Sequence, residues 1–364
     1  MHPSQALHLH PKSTIENKAY YRPDIDGLRG IAVGLVILYH LFPRLFKNGF
    51  LGVDVFFVIS GFVVTQALRR DLTQGIFNGL VRFYARRIKR ILPALYVNIA
   101  VTITLSCLLI PPSDLGSIFK TAASAVVGAS NVALLYARFD YFSPDLALNP
   151  FMQTWSLGIE EQFYLVFPSL LIMGSYLTTA SRRLNAGHLL SALAALSLLY
   201  WVDRQFYAPV SAFYNPLARF WELLIGAVMA LNKDAIASFV GETGDLFLQY
   251  LALALLVLAL SLSPAHFPLN NFMNILVVSS SALVLATGMT SSRHVNGVLG
   301  SAPLVWIGKL SYSLYLWHHC VFTFARWNSD LSRPLCALVA LLLMVAISYL
   351  SYRFIEIPFR YASE

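Results

Sequence analysis

The chain has 364 residues, of which 57% are hydrophobic and only 12% are charged. A typical soluble domain has about 25% charged residues, so this composition excludes an ordinary soluble fold. The net charge of +8 does not indicate a nucleic-acid partner, because the basic residues are concentrated in one stretch between apolar runs, where they set membrane orientation.

The apolar residues form runs of roughly the 20 residues that a helix needs to cross a bilayer. Only helices satisfy their own backbone hydrogen bonds in hydrocarbon, so the sequence predicts an all-α, polytopic transmembrane helix bundle of about 10–11 spans. The run at 118–137 is the weakest, because it is rich in small and polar residues. The candidate spans are residues 27–43, 51–68, 91–111, 118–137, 155–177, 187–202, 216–232, 246–263, 272–289, 303–325 and 334–355.

The predicted organisation is a polar, disordered tail at 1–23, a transmembrane domain at 24–360 and terminal residues 361–364. The segment between the second and third spans contains seven basic residues and a single acid, Asp71. The positive-inside rule therefore predicts that this loop and the N-terminus are cytoplasmic. Ten spans would leave the C-terminus on the same side, and eleven would leave it outside.

The first span carries Arg29 near its cytoplasmic end and His40 near its outer end. Eleven residues separate them, which is nearly three helical turns, so both lie on one face roughly 16 Å apart. Ionisable groups inside spans are expensive, which makes both residues functional candidates. Alternatively, Arg29 extends to the membrane interface and His40 hydrogen-bonds a neighbouring helix.

The second span places Asp54 at a depth comparable with that of His40. A carboxylate beside an imidazole fixes its tautomer and stabilises its charged form, so Asp54 is predicted to orient His40 as a general base. The alternative is that Asp54 caps its own helix or pairs with Arg44 or Lys47.

The basic loop ends in Arg86, Arg87 and Arg90, which share a helix face at i, i+3 and i, i+4 spacing. Guanidinium groups match phosphate oxygens well, so these arginines are candidates for binding the phosphates of an anionic donor. The alternative is topology signalling or contact with anionic membrane lipids.

Two later segments carry polar candidates for substrate binding. Glu161 and Tyr164 lie at i, i+3 in the fifth span and can form one polar face, although acids also favour the first turn of any helix. In the tenth span, Trp317 and His318 can line an acceptor site or belong to an interfacial aromatic belt.

Other polar groups favour structural roles. Arg219 and Glu222 are spaced as an ion pair inside a span. The three cysteines lie in or beside apolar runs and show neither a disulfide framework nor a metal-ligand spacing. No metal is therefore expected, and no nucleic-acid partner.

Five segments occur in one order along the chain, and together they resemble the acyltransferase-3 family of bacterial integral membrane O-acyltransferases. The resemblance covers roughly residues 20–360. The segments read Arg29-x10-His40, GVDVFFVISGF, FYARRIKRILP, WSLGIEEQFY and SYSLYLWH.

The resemblance implies acetyl-CoA, or a related acyl-CoA, as cytoplasmic donor and hydroxyl groups of surface carbohydrates as acceptors. It implies that Arg29 and His40 are a signature pair and that Arg87 and Arg90 form an Arg-x-x-Arg motif. The expected protein is an O-acetyltransferase of the bacterial inner membrane, surrounded by membrane lipids. Its sequence is most similar to members that carry a periplasmic SGNH domain after the membrane part, and no such domain is visible in these 364 residues. Three alternatives follow: the chain works alone, a separate periplasmic transferase is its partner, or the chain is part of a longer protein.

Two other functions remain open from the residues themselves. A transporter could use buried histidine and aspartate as a proton relay without bond chemistry, but no pair of interrupted helices in related halves is visible. A non-catalytic scaffold for glycan assembly would tolerate substitution of His40 and Asp54.

Overall fold

The computed structural model describes residues 21–137, 148–180, 185–261, 273–287 and 294–362, so most of the predicted tail lies outside the described residues. The described chain is helical throughout, apart from its connections. Its helices are α1 (Pro23–Leu41), α2 (Gly52–Leu72), α3 (Ile76–Leu109), α4 (Pro112–Val126), α5 (Ser130–Tyr136), α6 (Thr154–Ala180), α7 (Ala186–Tyr207), α8 (Pro209–Tyr214), α9 (Pro216–Leu231), α10 (Lys233–Ser261), α11 (Met273–Thr287), α12 (His294–Leu299), α13 (Ala302–Asn328), α14 (Pro334–Ser351) and α15 (Ile357–Tyr361).

The predicted class, an all-α polytopic membrane bundle, is confirmed. Among the described residues, four helical segments are long and apolar enough to cross a bilayer by length and composition alone: Gly49–Leu72, Ile76–Leu109, Ala186–Tyr207 and Pro334–Tyr361. The second of these is 34 residues long because α3 includes the basic loop, which the sequence analysis had placed before the span. Aliphatic side chains point outward from α14, as expected for a helix surrounded by lipid.

Contacts between helices define two ends of the bundle. The basic end carries Arg87 and Arg90, and the histidine end carries His40 and His318. Helices α1 and α13 run parallel, since Asp26 meets Gly308 near their starts and His40 meets His318 near their ends. Helix α6 runs the opposite way, from the histidine end to the basic end.

Within the described part of the chain, ten helices run between these two ends in alternating directions: α1, α2, α3, α6, α7, α9, α10, α11, α13 and α14. The last described residues return to the basic end, where Lys89 Nζ donates to the carbonyl oxygen of Ala362 over 3.2 Å. Arg22, at the start of α1, donates to the carbonyl oxygen of Leu285 at the same end. The first and the last described residues therefore lie at the same end of the bundle.

The fourth predicted span, 118–137, is not one continuous helix. Helix α4 ends at Val126 and α5 begins at Ser130, with Gly128 in the left-handed region at φ +67°. The chain reaches the start of α6 near the histidine end, where Asn149 Nδ2 donates to Thr121 Oγ1 over 2.9 Å. The segment thus leaves and rejoins the bundle at one end, so we correct the predicted crossing.

Close backbone approach joins α2 to α9. A Cβ atom added at Gly61 would collide with the carbonyl group of Leu223, and one added at Gly226 would collide with that of Val58. Small residues at such crossings allow helices in membranes to pack tightly. The crossing brings Asp54 on α2 next to Arg219 on α9.

Replacing Gly61 with alanine is expected to lower the free energy of unfolding by about 1–3 kcal/mol, because two backbones must separate to admit one methyl group. The matched control is Gly34→Ala in α1, where an added Cβ meets nothing within 4 Å. That change is expected to stabilise the protein by about 0.5–1 kcal/mol through helix propensity. Denaturant unfolding in detergent measures both, and equal effects of the two changes would contradict the tight crossing.

Candidate functional site

Three histidine rings meet at the histidine end, between α1 and α13. The ring centroid of His40 lies 4.9 Å from that of His318 and 5.0 Å from that of His319. His318 and His319 are buried, whereas His40 is partly exposed. Sequence reasoning selected His40 and His318 but not His319, although an adjacent pair of histidines inside a span was a signal that could have drawn attention to it.

Hydrogen bonds to backbone carbonyl groups orient the three rings. His40 Nδ1 lies 2.8 Å from the carbonyl oxygen of Val36, and His318 Nδ1 lies 2.6 Å from that of Tyr315. His319 uses Nε2 instead, 3.1 Å from the carbonyl oxygen of Asn149. A carbonyl can only accept, so each of these nitrogens carries a hydrogen; in the neutral ring, the opposite nitrogen then carries the lone pair.

The predicted pairing of Asp54 with His40 is wrong. Asp54 Oδ1 accepts from Arg219 over 2.9 Å and from Asn274 Nδ2 over 2.5 Å, and its side chain is 2% exposed. Because α2 turns its Asp54 face towards α9 and α11, this carboxylate is directed away from α13 and its histidines. The backbone carbonyl of Val36, and not Asp54 as predicted, accepts the hydrogen bond that fixes the tautomer of His40.

Arg219 instead sits at the centre of a buried charge cluster. It pairs with Asp54 and, over 3.1 Å, with Glu222, which confirms the predicted ion pair. Its guanidinium carbon lies 5.5 Å from the ring centroid of Phe57 and 5.8 Å from that of Trp155. The spacing in the sequence predicted Glu222 as a partner of Arg219, because both lie on one helix. It could not predict Asp54 as the second partner, because Asp54 lies on another helix.

A second group of polar side chains occupies the basic end. Arg29 pairs with Asp26 over 3.2 Å and remains largely buried. Glu160, on α6, lies within electrostatic reach of Arg29, Arg87 and Arg90. The structure therefore brings the arginine of the first span together with the Arg-x-x-Arg motif, as the sequence analysis required.

The arginines of α3 differ in their surroundings. Arg86 forms an ion pair with Asp71, so a structural partner already occupies this predicted donor-binding group. Arg87 lies 5.9 Å from the ring centroid of Tyr164, and its buried Nε atom has no hydrogen-bond partner among the described residues. Arg87 and Arg90 are therefore better placed than Arg86 to bind a ligand.

The two glutamates of α6 point in different directions. Tyr164 donates to Glu160 Oε2 over 2.7 Å and lies 2.5 Å from Ser60 Oγ. Glu161 instead lies against Gly128, between α4 and α5. The predicted face of Glu161 with Tyr164 is thus wrong, because i, i+4 spacing aligns Tyr164 with Glu160, which the sequence analysis did not select.

Trp317 is buried, with 5% of its surface exposed, and within the described residues no ring contact joins it to the histidines. Tyr315 is closer to them, since its ring centroid lies 5.4 Å from that of His318. The Tyr315 hydroxyl also lies 2.6 Å from Ser156 Oγ. Tyr315 is therefore a neighbour of the cluster that sequence reasoning missed.

A cavity of about 460 Å³ opens near the basic end, but none of the predicted site residues lines it. Its walls come from the ends of α2, α6 and α9 and the start of α7. The lining residues are Arg69, Leu72, Thr73, Leu171, Ser175, Asn185, Ala186, Gly187, Leu231 and Asn232.

A family profile and the curated relatives of this chain both describe acyltransferases. The sequence profile described as "Acyltransferase domain" matches residues 22–353. The chain is 31% identical over 350 residues to YrhL of Bacillus subtilis strain 168, provisionally named a peptidoglycan O-acetyltransferase, covering 93% of this chain and 55% of the relative. It is 30% identical over 352 residues to the O-acetyltransferase OatA of Staphylococcus aureus strain NCTC 8325, covering 93% and 57% respectively.

The chain thus spans little more than half the length of these relatives. No solved structure matches it. The profile match extends from the start of α1 to just past the end of α14 and includes both the histidine cluster and the arginines at the basic end. On this match, the chain belongs to the acyltransferase-3 family of integral membrane acyltransferases.

Proposed function

We propose that the chain transfers an acyl group, in the simplest case acetyl, from acyl-CoA to a hydroxyl group of a cell-surface carbohydrate. The observation that carries the proposal is the arrangement of α1, which has Arg29 at the basic end and His40 at the histidine end. Coenzyme A has its phosphates at one end and its thioester at the other. A donor lying along α1 would therefore reach both residues.

At the basic end, Arg29, Arg87 and Arg90 bind the donor phosphates. Guanidinium groups form charge-assisted hydrogen bonds to phosphate oxygens, and the shared location of these arginines around Glu160 supports the role. Arg86 contributes less to binding the donor phosphates, because it forms an ion pair with Asp71. Tyr164, stacked near Arg87, lies beside the path that the pantetheine arm would take.

At the histidine end, His40 acts as general base. The acceptor hydroxyl gives its proton to Nε2 of His40 while its oxygen attacks the thioester carbon. The carbon–sulfur bond then breaks, and the coenzyme A thiolate leaves and takes up a proton. An acyl-His40 intermediate is the variant of this mechanism. Holding both substrates at one enclosed point supplies proximity and excludes water.

The acceptor would lie near His318 and Trp317, and the name of the Bacillus subtilis relative, a peptidoglycan O-acetyltransferase, supports a cell-wall carbohydrate. Glu161 stays a weaker candidate for acceptor binding, because it faces Gly128. In this proposal the basic end faces the cytoplasm, as the positive-inside rule predicts, together with the first and last described residues. The proposed location is the bacterial inner membrane, where a separate periplasmic transferase is a possible partner.

The donor site is tested by replacing Arg87 and Arg90 with alanine together. We expect the dissociation constant for acetyl-CoA to rise at least tenfold, since each lost charge-assisted hydrogen bond contributes about 1.5–3 kcal/mol. Isothermal titration of the purified protein in detergent measures the change. Arg82→Ala is the matched control, because Arg82 is an exposed arginine of the same helix.

Equal loss of affinity in the Arg82 variant would contradict a specific phosphate site. If the unaltered protein binds no acyl-CoA, the acyl-transfer proposal loses its donor. Counterflow of labelled substrate without release of free coenzyme A would then support a transporter.

A further inference from the structure

The histidine cluster has a feature that acyl transfer by a single base does not use. One ligand atom from each of His40, His318 and His319 lies within 4.8 Å of the others. A general base requires one such nitrogen, yet the cluster presents three. His319 has no role in the proposed reaction.

Two ring nitrogen atoms of the cluster lack a hydrogen-bond partner within the described residues. Nε2 of His318 and Nδ1 of His319 are buried and make no hydrogen bond within the described residues. Both side chains are almost fully enclosed, at 0% and 2% exposure. A buried polar atom without a partner is costly, so the cluster is incomplete without a species that accepts lone pairs.

The opposite ring nitrogens are arranged as in metal sites. Histidines that bind metals donate their second ring N–H to a carbonyl or carboxylate, which fixes the tautomer and directs the lone pair at the ion. Val36, Tyr315 and Asn149 supply that carbonyl to the three rings. These carbonyl contacts hold each ring in the orientation that a metal site requires.

We propose that His40, His318 and His319 form a binding site for a transition-metal ion of the zinc and copper class. Imidazole nitrogens suit these ions, and three histidines leave a fourth tetrahedral position open. With Zn–N bonds of about 2.0–2.1 Å, ligand atoms lie about 3.3 Å apart, so nitrogen atoms that are up to 4.8 Å apart must approach one another by as much as about 1.5 Å.

The charges around the cluster constrain the fourth ligand. Arg326 donates a hydrogen bond to the backbone carbonyl of His40, so its positive charge lies beside the site. No carboxylate belongs to the cluster of ligand atoms among the described residues. The fourth position is therefore suited to an anion, such as hydroxide or a thiolate.

A metal ion at this site would affect acyl transfer, and this consequence rests on the proposed function. The lone pair on Nε2 of His40 cannot both bind an ion and accept the proton of a hydroxyl group. Metal binding at His40 and acyl transfer with His40 as the base therefore compete. A bound ion holds the transferase in an inactive state until the ion is removed.

Direct zinc binding tests the site. The full chain is purified in detergent without a polyhistidine tag and with His2, His8 and His10 replaced by asparagine, which removes other histidine ligands at the N-terminus. After exposure to zinc chloride and desalting, mass spectrometry is expected to find one ion per chain. X-ray absorption is expected to give nitrogen ligands at about 2.0–2.1 Å.

The deciding variant is His319→Asn, which is expected to weaken zinc binding at least tenfold. His188→Asn is the matched control, because His188 lies at the start of α7 outside the cluster. A thermal melt and acetyl-CoA titration establish that the His319 variant is folded. Absence of stoichiometric zinc, or equal affinity in the His319 variant, overturns the site.

Zinc binding is measured without substrates, so it does not depend on the acyl-transfer proposal. In the transfer assay, added zinc is expected to lower the rate of coenzyme A release, and a chelator is expected to restore it. Zinc is expected to lower the rate less in the His319 variant. Loss of activity on chelation overturns the competition, because His40 would then act as a ligand of a required ion.

Discussion

Replacing His40 with alanine is expected to lower the rate of acyl transfer by about 10²–10⁴-fold, the usual contribution of a general base. Binding of acetyl-CoA is expected to remain within threefold of the unaltered protein, because the proposed phosphate-binding arginines lie at the opposite end of α1, roughly 16 Å away. Release of free thiol measures the reaction, and isothermal titration measures donor binding.

Two controls separate chemistry from folding. His40→Asn retains an amide N–H able to donate to the Val36 carbonyl, so it preserves the local contact but removes the base. His188→Ala removes a histidine outside the cluster and is expected to leave transfer unchanged. If His40→Asn releases coenzyme A at the unaltered rate, His40 is not the base.

Replacing Arg219 with methionine is expected to reduce the free energy of unfolding by about 3–5 kcal/mol, because it leaves two buried carboxyl groups without their cation. Asp54 and Glu222 are both enclosed, with side chains at most 2% exposed, so water cannot replace the guanidinium group. The ring faces of Phe57 and Trp155 also lose their cation. Chemical denaturation in detergent measures the loss.

The matched control for Arg219 is Arg333→Met. Arg333 faces Asp330 in a pair that is 3.7 Å apart and largely exposed, and screening by water makes such pairs weak. This change is expected to leave stability unaltered. The triple variant Arg219→Met, Asp54→Asn and Glu222→Gln removes every charge and is expected to recover much of the lost stability. No recovery would contradict the electrostatic explanation.

Asp54 shows how far sequence spacing can lead. Its depth in the second span matched that of His40, and the two helices are consecutive. Depth, however, does not specify direction, because neighbouring positions on a helix differ by about 100°. The rotation of α2 is set by its packing against α9 at Gly61, which aims Asp54 at Arg219.

The arginines at the basic end were more predictable. Arg87 and Arg90 share a helix face by spacing alone, and their position beside an apolar run identified one end of the bundle. The sequence could not reveal that Arg86 forms an ion pair with Asp71. Nor could it reveal that Glu160 lies near Arg29, Arg87 and Arg90. These partners come from other turns or other helices, so no local pattern records them.

The sequence by itself determined the helical membrane class, most of the span positions and the polar residues at each end. It did so because hydrocarbon imposes helix length, apolar composition and a high cost on every charge. Only the tertiary structure decided that the helix predicted at 118–137 is interrupted at Gly128 and that Asp54 forms an ion pair with Arg219. It also decided that three histidine side chains lie together. These outcomes depend on the rotation and crossing of helices far apart in sequence, which packing alone specifies.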